Sequence, residues 1–123
     1  MRVIPLALLP TVVFADPATV VDAQATMGAN GSGSGATTWR FDVTVSHPDT
    51  GWDHYADGWE IRMIDGTVLG TRPLAHPHVN EQPFTRSLTG VVIPEGTDEI
   101  LIFVRDNVSG WAPEPFRVTL PQK

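Results

Sequence analysis

WRFDVTV, residues 39–45, is the stretch that decides the fold. Successive side chains of an extended chain point to opposite faces, so Trp39, Phe41, Val43 and Val45 share one side and Arg40, Asp42 and Thr44 the other. Four large apolar groups on one face predict a central core strand. His47-Pro48 ends it, because proline has no N–H for a ladder and restricts the residue before it.

The same pattern repeats outward in both directions. Upstream, residues 18–27 read as a first or edge strand, joined to the 39–45 strand by GANGSGSG at residues 28–35. That glycine run lacks a GK[ST] ending and a following helix, so it reads as a hairpin connection and not as a phosphate loop. Downstream, Trp59, Ile61 and Met63 alternate with Glu60 and Arg62, and Asp65-Gly66 then predicts a tight turn into a strand at 67–71. SLTGVVI at 87–93 is a further strand, bent or bulged at Gly90. EILIFVR at 99–105 is apolar on both faces, as in a central strand whose outer side is partly covered. Phe116, Val118 and Leu120 mark the last strand. Closely spaced turns and no amphipathic helix predict an all-β protein: an antiparallel, immunoglobulin- or fibronectin type III-like β-sandwich of about seven strands. A small open barrel is the alternative.

The first 15 residues carry a different signal. Arg2, an apolar run to Phe14 and small Ala15 match a secretory signal peptide, which leaves 16–123 as a single domain with a periplasmic or secreted destination. The run is shorter than the roughly 20 apolar residues of a membrane span, so no membrane insertion is expected. With no cysteine in the sequence, disulfides, thiolate chemistry and a lipid on an N-terminal cysteine are excluded. A net charge of -6 with no basic run argues against nucleic acid and anionic membrane as partners.

Residues 51–86 concentrate the chemistry, with three of the four histidines. In extended His76-Pro77-His78 the two imidazoles point to one side and can converge on an ion. His54 and His47 offer further nitrogens, and Glu81, Asp53 or Asp57 oxygen. This donor set suits zinc or divalent copper as the cofactor. The competing reading is that these histidines fix loops by hydrogen bonding. Asp49, Asp53, Asp57 and Asp65 lack calcium-loop spacing and read as solvated loop carboxylates. No serine sits in GxSxG and no catalytic motif is present, so no enzyme class follows.

Aromatic and arginine side chains give a second class of function. Trp52, Tyr55 and Trp111, with Arg72 and Arg86 that flank the histidine-containing loop, form a candidate interaction surface for an extracytoplasmic protein or a small ligand. Leu101 and Phe103 are the candidates for self-association, as a monomer or weak dimer.

GWDHYADGWE at 51–60, DGTVLGTR at 65–72 and HPHVNEQPFTRSL at 76–88 resemble segments of a family of small uncharacterised exported proteobacterial β proteins. The resemblance implies that these loops are features of one compact domain, and it implies no enzyme class.

Overall fold

Eight strands follow one another along the residues that the computed structural model describes, 17–28 and 37–121. They are β1 (Thr19–Met27), β2 (Thr37–Ser46), β3 (Ala56–Arg62), β4 (Val68–Pro73), β5 (Phe84–Ile93), β6 (Glu99–Asp106), β7 (Gly110–Trp111) and β8 (Phe116–Thr119). The signal-peptide segment 1–15 and most of the glycine-rich connection lie outside the described residues.

All strand pairs are antiparallel. One sheet has the order β1-β2-β5; in the other β3 lies between β4 and β6, and both β7 and β8 pair with β6. The chain is therefore an all-β sandwich. In a constant-type immunoglobulin domain the fourth strand lies on the same sheet as the first two. Here β4 pairs with β3 instead, which is the fibronectin type III-like side of the expectation.

Eight strands stand where about seven were expected because the last is interrupted. Trp111 pairs with Arg105 and Phe116 with Ile102, while Pro113 and Pro115 lie in the gap. Proline fixes its own φ and restricts the residue before it, so two prolines two residues apart disfavour a continuous ladder there.

The alternation in β2 does what its sequence requires: Trp39, Phe41, Val43 and Val45 are all buried. They meet Trp59 and Ile61 of β3, Phe84, Val91 and Ile93 of β5, and Ile100, Ile102 and Val104 of β6 in one core. Burying each such side chain is worth about 1.5–3 kcal/mol, which is the main force holding the two sheets together. The outer face of β6 is covered in part, as its composition demands: the Arg62 guanidinium lies 4.0 Å from the Phe103 ring centre. The bulge expected at Gly90 is present. Trp39 pairs with Val91 and Phe41 with Leu88, so two residues face Arg40, and Gly90 takes a φ of 69°.

The two inward-facing rows continue past their apolar members. In β2 the row 39, 41, 43, 45 reaches His47 one residue beyond the strand, and in β6 the row 100, 102, 104 ends on Asp106. Both residues are buried. One end of the core is therefore closed by polar side chains from opposite sheets, and the connection 47–55 lies over it.

Candidate functional site

His47, His54 and Asp106 come together at this end of the sandwich, with one potential ligand atom from each lying within 4.8 Å of the others. The Nε2 atoms of the two histidines are 3.2 Å apart, and His54 Nε2 is also 3.2 Å from Asp106 Oδ1. The His47 and Asp106 side chains are fully buried, while His54 is 20% exposed and gives the cluster its outlet to solvent.

Asp49 orients the first of these ligands. Its Oδ1 lies 2.6 Å from His47 Nδ1 and accepts the Ala56 N–H at 3.0 Å, and its Oδ2 accepts the His78 N–H at 2.8 Å. A carboxylate has only lone pairs to offer, so His47 carries a proton on Nδ1, and Nε2 is the nitrogen whose lone pair the neutral ring turns toward His54. A carboxylate behind a ligating imidazole is the arrangement that raises ligand basicity in metal sites. Gln82 completes the support, accepting the His47 N–H at 3.0 Å and donating to the His78 carbonyl at 2.9 Å.

Asp106 is held ionised against its burial. Desolvation pushes its pKa up, but the Ser109 and Val108 N–H groups, at 2.6 and 2.9 Å from Oδ1, together with the two imidazoles, outweigh it and leave the pKa below the ordinary carboxylate value. Its other oxygen, Oδ2, is buried with no hydrogen-bond partner among the described residues. An unpaired buried carboxylate oxygen costs free energy that a cation would offset.

The geometry has a consequence for what can sit between these groups. A His54 Nε2–H points in one direction, yet His47 Nε2 and Asp106 Oδ1 are both within reach. A tetrahedral ion with bonds of about 2.0–2.1 Å separates its ligand atoms by about 3.3 Å, close to the two separations from His54, while His47 and Asp106 lie within 4.8 Å. Two imidazoles and one carboxylate are also a recognised three-ligand set for zinc.

The other expected ligands are placed elsewhere. His76 is exposed, with its Nδ1 3.1 Å from the Pro77 carbonyl. The His78 ring stacks on Phe84 at 3.8 Å, and its Nε2 accepts from the Arg86 guanidinium at 2.8 Å, so that lone pair is committed. Burial, then Arg86 and His76, hold His78 below the usual imidazole pKa. Glu81 is exposed and faces Arg86 at 3.6 Å. His76 and His78 do lie together, with ring centres 4.6 Å apart, but against a cation.

Two residues that matter here were not expected from the sequence. Asp106 lies one residue past the 99–105 stretch assigned as a strand, and continuing the inward row of β6 reaches it. Asp49 read as a solvated carboxylate, and it is buried because three donors converge on it. Asp53 is exposed, and Asp57 accepts from Arg105 Nε at 2.8 Å.

The candidate interaction residues fall into separate places. Trp52 is 65% exposed and makes an edge contact with Tyr55 at 5.5 Å. Trp111 lies on the outer face of the second sheet, against Arg62 and Arg105 at 4.9 and 5.4 Å. Arg72 reaches from β4 to the Ser87 carbonyl of β5 at 2.8 Å, and Arg86 is engaged by His78. Among the described residues no helix is long and apolar enough to cross a membrane.

No family model matches the chain. It is similar to a protein of Halomicrobium mukohataei described as a "Putative lipoprotein", 40% identical over 78 residues that make up 63% of this chain and 38% of that protein. The matched part therefore spans well under half the length of that relative.

Proposed function

We propose that this chain is an exported β-sandwich domain that binds a divalent transition metal, zinc or copper, through His47, His54 and Asp106, in metal handling or structural stabilisation. The observation that carries this reading is the pair of Nε2 atoms 3.2 Å apart, one of them 3.2 Å from Oδ1 of a fully buried carboxylate. Buried Asp106, held ionised by its N–H donors, brings negative charge to this end of the core, which a cation would balance. Export is supported by the relative's description as a lipoprotein and by the charged, apolar and small-residue order of residues 1–15, with the periplasm or the exterior as destination. Kinship with the small exported proteobacterial proteins belongs to the same reading and rests on the 51–60 and 76–88 segments.

Calorimetric titration of untagged protein with zinc and with copper tests the assignment. One ion per chain is expected, with binding abolished in the combined His47→Ala and His54→Ala variant. Binding unchanged in that variant, or absent from the native protein, overturns it.

A second reading is favoured by the exposure of Trp52: a non-enzymatic interaction module in which Trp52 and Tyr55 anchor an extracytoplasmic protein or a small ligand.

A further inference from the structure

We infer that the metal is a clasp between the two sheets, and that its supply governs how firmly the Trp52 and Tyr55 pair is presented. This rests on the metal-site reading above and adds a regulatory consequence to it.

The ligands are distributed in a way that makes a clasp. His47 and His54 belong to the connection that leaves β2 in the first sheet, and Asp106 is the last residue of β6 in the second. In antibody domains a disulfide joins the second and sixth strands across the sandwich. This chain has no cysteine; His47 stands one residue beyond its second strand and Asp106 ends its sixth.

A short zipper stands directly beside the clasp. The Asn107 N–H donates to the Tyr55 carbonyl at 3.1 Å and Asn107 Oδ1 accepts the Tyr55 N–H at 2.8 Å. Asn107 Nδ2 also donates to the carbonyls of Trp52 and Asp53, at 3.1 and 3.4 Å. The residues that exchange two hydrogen bonds are chain neighbours of ligands: Tyr55 of His54, and Asn107 of Asp106. Its side-chain bonds are exposed, so water competes for them. Parting the two loops separates His54 from Asp106 and must release the ion.

Linkage gives the size of the effect. If only the closed form holds the ion, opening is suppressed by a factor of one plus the metal concentration over Kd, about 100-fold at 100 times Kd. Hydrogen exchange of the full chain, with and without zinc at that excess, reads this directly. The Tyr55 and Asn107 amides are expected to slow by up to about 100-fold. The Gly66 and Thr97 amides, in turns at the opposite end, are expected to stay unchanged. The Asp106→Asn variant keeps an oxygen for the Val108 and Ser109 N–H groups and is expected to lose the zinc-dependent protection. Zinc bound calorimetrically with Tyr55 and Asn107 exchange unaltered overturns the clasp and leaves the metal site standing. Zinc-dependent protection surviving in Asp106→Asn also overturns it, and no zinc bound overturns both readings.

Discussion

His47 Nδ1 stands 2.6 Å from Asp49 Oδ1, both side chains fully buried, and this contact decides which nitrogen His47 turns toward His54. Asp49→Ala leaves the His47, Ala56 and His78 donors without their acceptor. Each buried donor left unsatisfied costs about 1–3 kcal/mol, so a loss of at least about 3 kcal/mol is expected in urea denaturation. Asp49→Asn is expected to fold better and to weaken zinc binding by about 10–100-fold, the usual effect of losing a supporting carboxylate.

Stability is expected to depend on pH through His78. Its folded pKa lies below the ordinary imidazole value, so the unfolded chain takes up the proton first as the solution is acidified. The contribution is complete above about pH 6.5 and is lost as pH falls from there toward the folded pKa. Denaturation at a series of pH values should show this fall, and His78→Gln should flatten it.

Single substitutions should separate the two histidine groups. His54→Ala is expected to remove measurable zinc binding, whereas His76→Ala, exposed and distant from Asp106 in the hydrogen-bond network, is expected to leave affinity within about 3-fold. Equal losses in both variants would return the ion to the His76-Pro77-His78 segment.

Asn107→Ala removes three side-chain hydrogen bonds that join the loops. A destabilisation of about 1–2 kcal/mol is expected, since these bonds are exposed and water replaces part of each. Trp52 emission is expected to broaden and shift to longer wavelength in this variant.

The sandwich was legible because its core rows are written in period two: Trp39 to Val45 and Ile100 to Val104 need no tertiary information to be assigned. His47 and His54 were also legible as donors. Their grouping was not, because sequence proximity favours His76 and His78, whereas contact is set by strand register across two sheets. Asp106 follows an arginine at the end of a stretch apolar on both faces, and only the folded alternation of β6 shows that it belongs to the buried row. Arg86 likewise lies eight residues from His78 along the chain, yet it takes the lone pair that a metal would need.

The gap between β7 and β8 reaches beyond this one chain. A sheet edge that offers an unbroken row of N–H groups is a template on which a second copy can add its own strand and begin a fibril. Pro113 and Pro115 withhold two of those groups where β8 and β7 would otherwise run on as one edge. Along that border the domain carries its own stop signal against polymerising with its neighbours.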